Sequence, residues 1–214
     1  MGLDFAFSWP RWYLEARGLA AAVDAWAHAA ALAGRPAREL PRPFWGAGVR
    51  PLADAGLDGR PRLRLTEATP DALAAGARST FQAGGAGTVG LQSIRGMPFL
   101  AALRRAGVAI WPFDRPDAAR PLAVEIFPRM IARRLAPPGR ARGAAFRAGV
   151  LAALPPAALG GLPGARDRML GNQDAFDAAV SAIVLSRDPA AGLTAPAGEP
   201  VLREGWIWGA RATA

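Results

Sequence analysis

Leu3, Phe5 and Phe7 alternate with Asp4 and Ala6, and that period of two predicts a strand over 2–8, ended by Pro10. The Ala-rich stretch 19–33 has helical periodicity, with Gly34 as its stop and Pro36 just beyond. Residues 37–61 are rich in Pro, Gly and Arg and read as a long loop. One or two helical turns are predicted over 70–77, a short strand over 79–82, and a loop over the run GGAGTVG at 84–90. A helix over 97–106 carries Pro98 in its first turn, where proline is tolerated. Strands follow over 108–113 and 122–127, the second closed by Pro128. Helices are predicted over 130–135 and 141–154, and the clearest helix of the chain over 173–186. The Pro/Gly-rich end has one apolar piece, Trp206 to Trp208.

Strands mixed with helices and no internal repeat predict an α/β layer fold. The 214 residues suit one domain over 1–190, with a helical and loop insertion at about 14–77, and a C-terminal tail over 191–214. The first residues show no signal-peptide pattern, and the most apolar stretch, 19–33, is too short to span a bilayer and carries Asp24 and His28. A cytoplasmic protein without membrane contact is the expectation.

Composition narrows the chemistry. There is no cysteine, so disulfides, thiolate metal sites and cysteine nucleophiles are excluded. The single histidine, His28, excludes multi-histidine metal sites, and it is expected to face out of its helix. All 26 basic residues are arginine, which removes Schiff-base chemistry and lysine-type phosphate loops. A GC-rich genome explains the choice of arginine but not a net charge of +9, which favours a phosphate-rich partner such as nucleic acid. Carboxylate chemistry on a basic protein is what survives.

The acids form a pattern. Asp174 and Asp177 stand at i and i+3 on one helix face, and Ser181 continues it; Phe176, Val180, Ile183 and Val184 form the opposite, buried stripe. Asn172 is placed as N-cap, which puts Asp174 in the first turn, where the helix dipole favours the ionised carboxylate. The dipole alone also selects aspartate there. Asp4 and Glu125 each lie within an apolar strand, where a carboxylate is costly to bury unless paired or metal-bound. Together the four predict a cluster binding one or two Mg²⁺ or Mn²⁺ ions and acting on phosphodiesters.

The order acid on a strand, glutamate on a later strand, then D-x-x-D opening a helix resembles the ribonuclease-H-like superfamily. Closer still, Gly2-Leu3-Asp4-Phe5-Ala6-Phe7-Ser8, Val124-Glu125-Ile126-Phe127-Pro128-Arg129 and Gln173-Asp174-Ala175-Phe176-Asp177-Ala178-Ala179, with Ser79-Thr80-Phe81-Gln82 before the glycines, resemble a family of predicted ribonuclease-H-like nucleases, the domain of unknown function 429. The resemblance implies a mixed sheet with flanking helices and a metal-dependent nuclease with Asp4, Glu125, Asp174 and Asp177 as catalytic metal ligands. That fold begins with three antiparallel strands, the first carrying the primary aspartate. Here residues 2–8 lead through Pro10 straight to a helix, so they match the fourth strand better. The expectation is a chain lacking about 50 to 80 N-terminal residues, with an unfilled sheet edge beside the Asp4 strand. The expected function is that of the nuclease, with a non-catalytic nucleic-acid-binding protein with a degenerate site as the alternative.

Two further patterns compete or assist. Gly85, Gly87 and Gly90 spell GxGxxG, and Asp114 lies 24 residues beyond, in imitation of a dinucleotide-binding fingerprint. Against it, the preceding strand is short and polar, and Gly96 and Pro98 argue that no helix starts at Gly90. Arg95, Arg129, Arg133 and Arg134 are candidate phosphate contacts, the last three opening a basic run that continues through Arg140, Arg142 and Arg147. Trp9 and Trp12 suit core packing better than base stacking.

Overall fold

The computed structural model describes residues 1–136, 143–155, 158 and 163–212. Arg140 and Arg142 lie outside them. Strand β1 (Gly2–Leu3) is followed by helices α1 (Arg11–Ala16), α2 (Ala22–Ala33), α3 (Pro70–Ala74) and α4 (Val89–Arg105). Strands β2 (Ala109–Trp111) and β3 (Leu122–Glu125) come next, then helices α5 (Pro128–Leu135), α6 (Gly143–Ala153), α7 (Ala165–Gly171), α8 (Gln173–Arg187) and α9 (Glu199–Glu204). The fold is thus mixed α/β.

The sheet has the order β1-β3-β2. Both pairings are parallel, with Leu3 beside Glu125 and Ile110 beside Ala123, so the described sheet has no antiparallel pair where a mixed sheet is expected; the one antiparallel bridge among the described residues, Gly46 to Arg50, lies outside it. β1 is an edge strand, paired only with β3. Successive residues of a strand face opposite sides, and the core divides accordingly. Ile110 and Ala123 join one buried cluster with Phe7, Trp9, Trp26, Phe44, Phe81 and Ile94. Trp111, Val124 and Ile126 join another with Met130, Phe176, Val180, Trp206 and Trp208.

The first strand is shorter than its alternation predicts. After Leu3 the chain turns away, and side chains rather than a neighbouring strand take its donors: the Ala6 N–H donates to Ser93 Oγ (3.0 Å) and the Phe7 N–H to Glu125 Oε2 (2.9 Å). Asp4 therefore sits beyond the strand, exposed, not within it. Residues 79–82 form no strand; Gln82 makes an isolated bridge to Trp45. The helix expected from residue 97 begins at Val89 and runs through Gly90, Gly96 and Pro98. Gly96 is there for packing, since a Cβ would stand 2.7 Å from the Phe5 ring.

His28 faces inward, contrary to expectation. Its Nε2 lies 2.9 Å from the Tyr13 hydroxyl, and its ring packs edge-on against Trp9. Helix α1, invisible in the hydrophobic pattern, brings Tyr13 there. Trp9 is fully buried, which leaves it no base to stack on, and the Trp12 indole donates to the Pro61 carbonyl (2.7 Å).

The segment after 190 enters the core. Ile207 bridges to Glu125 beside β3, the Trp208 N–H donates to the Glu125 carbonyl (2.8 Å), and Trp206 is 2% exposed. Among the described residues no helix is long and apolar enough to cross a membrane. Trp206→Ala is expected to lower stability in urea denaturation by about 3–5 kcal/mol, as much as Trp26→Ala. A loss below about 1 kcal/mol would show that this segment adds little to the core.

Candidate functional site

In parallel sheets, ligands gather beyond the carboxyl ends of the strands. Asp4 follows β1 there, and Glu125 is the last residue of β3. The Glu-x-x-Pro string has a local reason: Glu125 ends the strand, and Pro128, with no N–H to satisfy, opens α5. Asn172 caps α8 as expected, its side chain accepting the Ala175 N–H at 2.9 Å, which presents Asp174 and Asp177 on the first turns.

These elements enclose a cleft of about 360 Å³ whose walls include Asp4, Glu125, Asp177, Arg78, Arg129 and Gly87. Three of the four predicted acids thus meet in one cavity. Asp174 stays outside its walls, exposed, yet its charge acts on both Asp4 and Asp177. The glycine loop also reaches the cleft. Gly85 and Gly87 have φ of +84° and +78°, left-handed values that suit glycine.

Asp4 is exposed as a residue, yet enough protein surrounds its carboxyl to push its pKa up to about 6; the charges of Asp177, Glu125 and Asp174 add to the effect. Asp177 is raised as well, first by burial and then by Asp174. The Gln173 amide, which donates to its Oδ1 at 2.9 Å, and the charges of Arg129 and Arg147 offset this only in part. At both carboxyls burial is the larger cause, and neighbouring carboxylates add to it.

Glu125 is differently placed. Arg64, wholly buried, grips it with a two-pronged fork: Nη1 donates to Oε2 at 2.9 Å and Nη2 to Oε1. The same guanidinium binds Glu67 Oε1 through Nε (2.9 Å) and Nη2 (2.7 Å), and Nη1 also donates to the Glu204 carbonyl (2.9 Å). Burial opposes the Arg64 charge, but the two carboxylates outweigh it and hold its pKa above the ordinary value. Burial wins at Glu67, whose pKa is raised despite Arg64. Glu204 fixes the surroundings, accepting the N–H groups of Arg11 and Leu65 at 2.7 Å each.

The pleat accounts for the side on which Glu125 meets Arg64. Glu125 lies beside Leu3, on the first cluster's side of the sheet, whereas Gly2 lies beside Val124 on the side of α8. Asp4, one residue past Leu3, lies beyond the strand and meets Asp177 in the cleft. Among the described residues no group of three or more His, Asp or Glu side chains is arranged to hold a metal ion.

The remaining expectations fare unevenly. Arg129 lines the cleft, but Arg95, Arg133 and Arg134 do not; Arg134 donates to Asp71 (2.7 Å) and the Gly209 carbonyl. Arg147 donates to the Leu170 carbonyl and Gln173. Ser181 is buried two turns along α8, where its Oγ finds no partner among the described residues, and Ile183 and Val184 are only half-buried. Helix α4 does start beside the glycines, yet no strand precedes them, and Asp114 is held by Arg104 (2.6 Å) and the Ile110 N–H (3.0 Å). Arg64, Glu67, Arg78 and Glu204 were not foreseen. The only sequence signal was the pair Arg64 and Glu67, three apart in a loop.

No family model, curated protein or solved structure matches the chain.

Two outcomes follow. Arg64→Met strands two buried carboxylates and is expected to cost about 3–5 kcal/mol, read from denaturant midpoints. Asp4 holds its proton more tightly folded than unfolded, so its ionisation opposes folding as pH rises through about 4 to 6 and remains unfavourable above. Asp4→Asn should therefore raise the melting temperature at pH 8 and leave it nearly unchanged at pH 3.5.

Proposed function

We propose that the cleft is the active site of a divalent-metal-dependent phosphodiesterase acting on nucleic acid, built on a ribonuclease-H-like arrangement. The observation that carries this is the Asp4–Asp177 pair, two carboxylates in one cleft whose proton affinities are raised first by burial, with the charge of Asp177 adding to the effect at Asp4 and that of Asp174 at Asp177. Mg²⁺ keeps several waters and is commonly held by one or two carboxylates plus substrate phosphate. Asp4 and Asp177 fit that donor set, and Mn²⁺ would use the same oxygens. Glu125 fits poorly, because Arg64 and the Phe7 N–H already occupy its carboxylate.

A bound cation would supply Lewis acidity and an activated water. The chain's own part is to hold Asp4 and Asp177 at the strand ends and to meet phosphate with Arg78 and Arg129 on the cleft wall. The excess of positive charge over the whole chain draws a polyanion towards that wall. The engagement of Glu125 also favours a second reading, a nucleic-acid-binding protein whose site no longer cleaves.

Cleavage of a panel of DNA and RNA substrates is expected with Mg²⁺ or Mn²⁺, abolished by chelator and reduced at least about 100-fold by Asp177→Asn. Binding that is steeply salt-dependent but indifferent to chelator and to Asp177→Asn, without cleavage, supports the second reading instead. Neither binding nor cleavage, in any metal, would overturn both.

A further inference from the structure

The acid cluster already contains a cation. We propose that Arg64 serves as the fixed positive charge of its Glu125 side, so that the cleft takes one divalent ion, on Asp4 and Asp177, and Glu125 is a positioning residue instead of a ligand. This rests on the metal-dependent reading above and goes beyond it in number and place.

A guanidinium has five N–H donors, and Arg64 places all of them: Nε on Glu67, Nη1 on Glu125 and the Glu204 carbonyl, and Nη2 on Glu125 and Glu67. Nothing rotates away to admit an ion. Glu125 Oε2 takes a second bond from the Phe7 N–H at 2.9 Å, and Glu67 Oε2 takes the Arg64 N–H at 2.8 Å. An ion on Glu125 would meet a guanidinium already hydrogen-bonded to both of its oxygens, and like charges in a dry site repel strongly. Arg64 and Glu125 are 0% and 4% exposed in their side chains, so water does little to screen that repulsion.

At the other two carboxylates of the cleft the surroundings differ. Among the described residues neither Asp4 nor Asp177 is held by a two-pronged arginine as Glu125 is, although the charges of Arg129 and Arg147 act on Asp177. Glu125 still matters to them. By holding the Phe7 N–H, three residues after Asp4, it fixes the turn that carries Asp4 off the end of β1. Through Arg64 it also ties that turn to the loop at 64–67 and to the end of α9.

The test is Mn²⁺ binding to the full chain, by calorimetry and by electron paramagnetic resonance at saturation. A stoichiometry of one and an uncoupled Mn²⁺ spectrum are expected, with binding lost in Asp4→Asn and in Asp177→Asn. Glu125→Gln should keep a stoichiometry of one, with affinity reduced by no more than about tenfold, as for a residue behind the ligands. Two ions, or a spin-coupled pair, would overturn the proposal while leaving the metal reading intact. So would complete loss of binding in a Glu125→Gln protein whose circular dichroism is native. Should that variant not fold, the wild-type stoichiometry and spectrum decide alone. No Mn²⁺ binding by the wild type would overturn the metal reading and this proposal with it.

Discussion

A guanidinium sealed from water at the end of the central strand joins parts of the chain that are distant in sequence. Arg64 reaches Glu125 across 61 positions and the Glu204 carbonyl across 140, and Glu125 in turn holds the Phe7 N–H across 118. A buried ion pair adds little net stability over a well-packed apolar substitute, because both ions lose their hydration. Its effect is on what the neighbours can do. Once Arg64 is inside, Glu125 and Glu67 must stay to balance it, and every donor of its fork must find an oxygen. That requirement fixes the loop at 64–67, the turn after β1 and the end of α9 at one point beside the strand ends.

The rest of the site follows from that point. With Arg64 holding Glu125, burial and the charges of Asp177, Glu125 and Asp174 raise the pKa of Asp4, and burial and Asp174 raise that of Asp177. The cleft between α8, the glycine loop and the strand ends thus gathers Asp4, Glu125 and Asp177 with Arg78 and Arg129, in a chain that as a whole carries +9. Carboxylates gathered beside arginines in a basic protein are a sensible place for a dication bridging protein to phosphate. The large aromatic cluster behind it, with Phe7, Trp9, Trp26 and Phe81 all fully buried, gives this arrangement a rigid back.

Much of this was legible in the sequence, and the failures have identifiable causes. The strand of Glu125, the proline after it, the cap at Asn172 and the pairing of Asp174 with Asp177 on one helix face all depend on contacts within a few residues. The chemistry of Glu125 does not. Whether a strand-end carboxylate faces Asp4 or turns from it depends on the register of β1 against β3, and no local pattern encodes that. Its partner Arg64 sits in a loop where only Glu67, three residues on, sets it apart from 25 other arginines. Alternation over residues 2–8 suggested a strand because Phe5 and Phe7 are apolar at the right period, but both pack in a turn stabilised by Ser93 and Glu125. Gly96 and Pro98 looked like helix breakers because their cost is local, while the close fit of Gly96 to Phe5 is tertiary.

The most direct test is the titration of the Asp4 side-chain carboxyl by carbon-13 NMR, without and with Mg²⁺. A midpoint near 6 in the absence of metal is expected, falling well below that when Mg²⁺ is added. A midpoint near the ordinary aspartate value of about 3.9, unmoved by Mg²⁺, would contradict an anionic cleft that calls for a cation.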